Sequence, residues 1–265
     1  MWCIPGLMLL CLLCTFAGLL MGYNTSIVAG VQLMLAADEV VLDTMEDEWF
    51  VASTTLAAAF AAIACVWPNS RFGRRPTLFC AAAFYFAGAL IQACAAGFSL
   101  LLTGRLLIGI GIGLSSVSAP MYASELAPPE HRGLIVLVHD VSVVFGQLLA
   151  GLLNGGFFYV ASGWRWSVGT GAATAIGLAV TIASLPESPR WLCQMGRPAE
   201  AEAALLQMAT SSTNSLEAVK ASVSVGVRSL QVSLSLSPSL SLGLGLSPSP
   251  RLTRPRSEFA RGRRL

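Results

Sequence analysis

Six stretches of the chain are apolar for long enough to cross a hydrocarbon core, which takes about 20 residues each. They lie at roughly 4–35, 49–68, 77–97, 100–123, 134–157 and 166–185. The runs are continuous rather than alternating and longer than strands, so they predict six membrane helices and no sheet. The first is overlong and carries the polar "GYNTS" at its middle, where a helix lining a cavity is expected to bend or partly unwind. Its start, "MWCIPGLMLLCLLCTFAGLLMG", has no basic leading region, and its apolarity continues through "YNTSIVAGVQLMLAA"; it reads as a first membrane helix rather than a signal peptide. The segment "AEAEAALLQMATSS" after Pro198 predicts a short amphipathic helix. Beyond it the sequence alternates Ser and Leu with Pro and Gly and then turns Arg-rich, a composition that favours disorder. The expected organisation is a six-helix bundle over 1–198, a short cytoplasmic helix over 199–210 and a low-complexity disordered tail over 211–265.

Composition agrees with this pattern. The chain of 265 residues is 55% hydrophobic and 11% charged, against about 25% charged for soluble domains. The charges are segregated: between Trp49 and Ser124 the only ionised side chains are Arg71, Arg74, Arg75 and Arg105. The connection "ADEVVLDTMEDE" holds six acids and no base, whereas "NSRFGRRP", "SELAPPEHRG" and "PESPRWLCQMGRP" carry Arg71, Arg74, Arg75, Arg132, Arg190 and Arg197. The excess of basic residues places those three loops, and with them both termini, in the cytoplasm. Arg165 in "SGWRW" is the exception on the outer side. Of seven cysteines, six lie in apolar runs and read as small hydrophobes, so no disulfide framework and no metal site is expected.

Within helix four, "GRLLIGIGIG" sets Gly104, Gly109, Gly111 and Gly113 where small residues let helices approach closely. No strand precedes these glycines, so they do not read as a nucleotide loop. Helix five, "LIVLVHDVSVVFGQLL", carries Asp140 in an apolar setting where an ionised carboxylate is costly. Gln147 is two turns on and shares its face. His139 points about 100° away and reads as a helix-surface residue.

Four motifs carry a resemblance. "RFGRRP" (71–76), "GRLLIGIGIGLSS" opening helix four, "PMYASELAPPEHRG" (120–133) and "PESPRWL" (186–192) resemble, in order and spacing, the sugar porter family of the major facilitator superfamily. The likeness covers about residues 8–209 and is nearest to inositol and hexose transporters. It implies an all-α membrane protein whose six transmembrane helices form one N-terminal major facilitator bundle. The function it implies is transport of a sugar or polyol by alternating access, and no enzyme. It also implies a cytoplasmic gate of Arg74, Arg75, Glu125, Arg132, Glu187 and Arg190. The family's usual acid before the first basic residue of the loop is replaced here by Ser70. In proton-coupled relatives an Asp stands in the "GYNTS" position of helix one. Here it is Asn24, which cannot titrate, while the helix-four Arg is present as Arg105, so the resemblance leans toward a facilitative carrier. It sets Gln147 on a polar position that contacts sugar and Asp140 at a site often occupied by a sugar-binding Gln; Thr25, polar and able to face inward, joins them as a candidate substrate contact. For Asp140 three roles stay open: ligating sugar, pairing with Arg105 as a displaced proton site, or solvating a wet cavity.

A sugar porter is built from two such bundles, so the chain is expected to be a truncated product, inactive alone. Its expected partners are a sugar or polyol, the lipid bilayer and a second transporter half, with no nucleic acid, cofactor or metal. The expected location is the plasma membrane, as a multi-pass integral protein. An alternative of another class is a non-transporting protein that associates with a full-length transporter.

Overall fold

The computed structural model describes residues 4–37, 43–127 and 131–208, which are helical with short connections. The long helices are α1 (Ile4–Ala37), α2 (Thr44–Ala64), α4 (Arg74–Ala93), α5 (Phe98–Leu126), α6 (Arg132–Phe157) and α7 (Gly163–Ala183). Three short ones, α3 (Val66–Arg71), α8 (Pro189–Gln194) and α9 (Pro198–Met208), lie at the end where the arginine-rich loops gather. Among the described residues, six helices are long and apolar enough to cross a membrane, the α2 span running on through α3. They match the six expected runs. The tail over 211–265 lies outside the described residues.

Close approach, not side-chain bulk, sets the packing. The most extensive helix contact joins α1 to α6. Gly18 and Gly22, spaced as a small-xxx-small pair, lie directly on α6: a Cβ at Gly22 would fall 1.9 Å from the carbonyl oxygen of Val143. Helix α5 is the hub, and its glycines divide between neighbours. Gly109 and Gly113 lie against α2 at Thr54 and Ala58, whereas Gly104 and Gly111 lie against α4 at Gly88 and Ala81. The repeat singled out in the sequence therefore serves two helices at once.

Two expectations about helix position need correction. Helix α1 does not unwind at "GYNTS", because the polar groups close locally: Asn24 Nδ2 donates to the Leu20 carbonyl at 2.9 Å and Thr25 Oγ1 to the Met21 carbonyl at 2.8 Å. Each takes an acceptor one turn back, so no backbone group is released. His139 is not a helix-surface residue either. It is buried in the α1–α6 seam, with Nδ1 3.3 Å from the Cys14 carbonyl. Its 100° offset from Asp140 turns it inward and leaves Asp140 exposed.

Candidate substrate face and charged network

Helix α6 turns Asp140, Val144, Gln147 and Gly151 outward along one face, all exposed in the bundle. On α1, Thr25 is exposed as well, although its hydroxyl proton is committed to Met21. Asp140, Gln147 and Thr25 are polar members of a surface that is largely aliphatic and aromatic, with Val141, Val144, Phe145 and Leu148 beside them. A carboxylate and an amide two turns apart can accept from and donate to the hydroxyls of one small polyol. Asp140 forms no ion pair with Arg105; the pairing weighed as a displaced proton site is absent, since one side chain faces out of the bundle and the other is wholly inside it.

Arg105 is fully buried on α5. Its Nη1 reaches the backbone carbonyl of Asn24 at 3.4 Å, and its guanidinium carbon stands 4.4 Å above the Phe50 ring of α2. The Asn24 side chain turns the other way, to Leu20. Next to it on α1, Tyr23 bonds to the Ser167 carbonyl at 2.5 Å and to the Thr170 hydroxyl, tying α1 to α7.

At the arginine end, the structure brings together four of the six charged residues expected there. Arg74 Nη2 pairs with Glu125 Oε1 at 2.8 Å, with side chains only 9% and 8% exposed. Among the described residues Glu187 forms no side-chain ion pair. Its Oε1 accepts from the backbone N–H groups of Arg74 (3.1 Å), Arg75 (3.2 Å) and Ser188 (2.9 Å), so it caps the start of α4 from another part of the chain. The approach is open because Gly73, at φ 100°, has no side chain; a Cβ there would stand 2.7 Å from the Glu187 carboxylate. Arg75 works in the opposite sense, donating to the Ile182 (3.2 Å) and Ala183 (2.8 Å) carbonyls at the end of α7. Negative charge thus meets a helix start and positive charge a helix end, the favourable sense of both dipoles. Arg132 and Arg190 stay outside the network. Both are exposed; Arg132 reaches only the Ala127 carbonyl at 3.4 Å, and Arg190 has no ion pair among the described residues.

Several members of this network carry no charge and were not singled out in the sequence. Ser188 Oγ donates to Glu125 Oε2 at 2.5 Å, and Trp191 Nε1 to the Ser70 carbonyl at 3.0 Å. Arg74 Nη1 reaches the carbonyl of Asn69, whose amide bonds to Ser118 and Cys65 inside the bundle. The Tyr122 hydroxyl donates to the Pro186 carbonyl. Cys193 on α8 is buried against Trp191 and α9, and that burial pushes its thiol up, away from reactivity.

Residues 10–240 match the family model described as "Sugar (and other) transporter". The chain belongs to that family. It is 39% identical over 197 residues to the human proton myo-inositol cotransporter, covering 74% of this chain and 30% of that protein. To the galactose-proton symporter of Escherichia coli K12 it is 34% identical over 205 residues, covering 77% of this chain and 44% of that one. The solved structure of the proton:xylose symporter XylE bound to 6-bromo-6-deoxy-D-glucose superposes with a TM-score of 0.79 at 25% identity, over 91% of this chain and 56% of that one. The chain therefore spans less than half the length of those two curated relatives. These relatives are transporters, and this chain is an integral, multi-pass membrane protein.

Proposed function

We propose that this chain forms the N-terminal bundle of a sugar porter that carries a sugar or polyol, of the hexose or myo-inositol class, by alternating access. Family membership over residues 10–240 carries the reading. The relatives' names point to myo-inositol and galactose as the substrate class. The exposed Asp140, Gln147 and Thr25 are the substrate contacts. Arg74, Arg75, Glu125 and Glu187 lock α4, α5 and α7 into one rigid unit at the gate, and the exposed Arg132 and Arg190 are free to meet a second bundle. Helices α2 and α6 bury least of their surface within this bundle, which leaves them for that partner. Asn24 in place of an acid favours facilitative transport, because an amide takes up no proton in this range. The basic loops put this end and both termini in the cytoplasm, and the family favours the plasma membrane.

Alternating access rocks one bundle against another, so proteoliposomes holding the chain alone are expected to take up no labelled myo-inositol or glucose above background. Uptake should appear on co-reconstitution with a second six-helix bundle that assembles with it, and it should not respond to an imposed pH gradient. Uptake by the chain alone overturns the need for a second bundle; silence of an assembled pair overturns transport. If instead the chain co-purifies with an intact transporter and changes only that protein's abundance, the association role stands in its place.

In the transporting assembly, Asp140→Asn should weaken apparent sugar affinity about tenfold or more, the worth of a hydrogen bond to a charged group. An unchanged affinity and pH response would leave Asp140 a solvating group only.

A further inference from the structure

Among the described residues the bundle buries two arginines, and only one of them has a counter-charge. Arg74 is matched by Glu125. Arg105 is more deeply placed, with no exposure at all, yet forms no ion pair among the described residues. Its single hydrogen bond, to the Asn24 carbonyl at 3.4 Å, is long and uses one of five donors. The Phe50 ring covers one face of the guanidinium. What is left over has a definite shape. The donors without a partner are Nε and Nη2, and in a planar guanidinium the Nε–H and one Nη2–H project side by side from the same edge. That fork is the one arginine uses to hold an anion with two parallel bonds. The surrounding layer adds hydrogen-bonding capacity that no protein group takes up. Thr54 Oγ1, one turn along α2 from Phe50, has no partner, nor does either end of the buried Gln92 amide, which packs on Gly104 beside Arg105.

We propose that Arg105 holds a small monovalent anion of halide size on its Nε/Nη2 edge, inside the bundle. A charge buried in a membrane span without compensation is strongly unfavourable. Neither a ring face nor one weak carbonyl bond supplies a full counter-charge, and a halide needs only donors, which this edge offers in parallel. Chloride is the halide available in ordinary aqueous media. The anion is structural: it neutralises the centre where α1, α2 and α5 meet and is not cargo.

The test uses the full chain purified in mild detergent, with sodium chloride exchanged for sodium gluconate at constant ionic strength and thermal unfolding followed by tryptophan fluorescence. Binding to the folded state raises the midpoint by roughly 3–5 °C for each tenfold rise in chloride above the dissociation constant, while gluconate, a bulky polyhydroxy carboxylate, gives no such rise. Arg105→Gln should remove the chloride response. Where that variant does not fold, Asn24→Asp provides the second arm: an ionised aspartate has no N–H for the Leu20 carbonyl that holds the native amide, so its side chain is free to turn to the guanidinium that its own carbonyl already touches. It should remove the response by displacing the anion. A native midpoint equal in chloride and gluconate overturns the proposal and leaves water as the occupant of the edge. So does a chloride response that survives in Asn24→Asp, which would mark binding elsewhere on the protein. The readout is stability, so it stands or falls independently of sugar transport.

Discussion

Gly22→Val is expected to abolish the folded bundle. The would-be Cβ lies 1.9 Å from the Val143 carbonyl oxygen, 2.7 Å from its carbonyl carbon and 3.0 Å from its Cα, all of them backbone atoms of α6. A flexible side chain could swing away from such a clash; a helix backbone moves only as a whole. Overpacking usually costs about 1–3 kcal/mol when side chains can adjust, and here α6 must separate from α1 along their largest shared seam. The whole marginal stability of a domain is about 5–15 kcal/mol, so this one change consumes a large part of it. Size-exclusion profiles and thermal aggregation in mild detergent should show Gly22→Val aggregated under conditions where the native chain is monodisperse. Gly151→Val on α6, where a Cβ meets nothing within 4 Å, is the matched control and should behave as the native chain. A monodisperse Gly22→Val with an unchanged midpoint would mean that α1 and α6 do not pack as described.

Glu125→Gln is expected to be the most damaging single change at the arginine end. It keeps the shape of the side chain and removes its charge, so Arg74 is left buried with only the Asn69 carbonyl and an amide oxygen as acceptors. Breaking a buried pair in this way costs about 3–5 kcal/mol, far more than the 0–1 kcal/mol of an exposed pair, because the surviving charge stays desolvated. The exposed Arg197–Glu200 pair on α9, at 2.6 Å but with side chains 52% and 55% exposed, is the internal comparison. Neutralising Glu200 should move the unfolding midpoint hardly at all. The double variant Arg74→Gln/Glu125→Gln should recover part of what Glu125→Gln loses, since it removes the stranded charge as well. Losses that simply add in the double variant would show that the two side chains are not coupled.

The network at that end differs in kind from a latch of paired surface charges. Two of its four charged members, Glu187 and Arg75, spend their charge on backbone groups at helix ends, joining α4 to α7 in both directions. Its hydrogen bonds close within one bundle. If the bundle rocks against a partner, this end moves as a rigid piece, and Arg71, Arg132 and Arg190, exposed and without an ion pair among the described residues, are left to change partners.

The six spans, their order and the end at which the arginines gather were all legible in the sequence, because a hydrocarbon core imposes a length and a polarity that composition shows directly. The four motifs were equally legible and gave the family. Local closure was not. Nothing in "GYNTS" says that Asn24 and Thr25 will bond back to Leu20 and Met21 rather than open the helix. That choice depends on whether a neighbouring helix offers a better acceptor. The partners of charges were hidden for the same reason. Arg74 and Arg75 are adjacent in sequence, yet one finds a carboxylate 51 residues away and the other finds carbonyls 107 and 108 residues away. The decisive uncharged members, Asn69, Ser118 and Ser188, look like ordinary polar residues until the chain is folded. By itself the sequence determined which runs of the described residues are long and apolar enough to cross a membrane and which family the chain joins. Which face of α6 carries Asp140 outward and His139 inward, and which buried arginine goes without a counter-charge, only the tertiary structure decided, because hydropathy is a property of single residues and burial is a property of their neighbours.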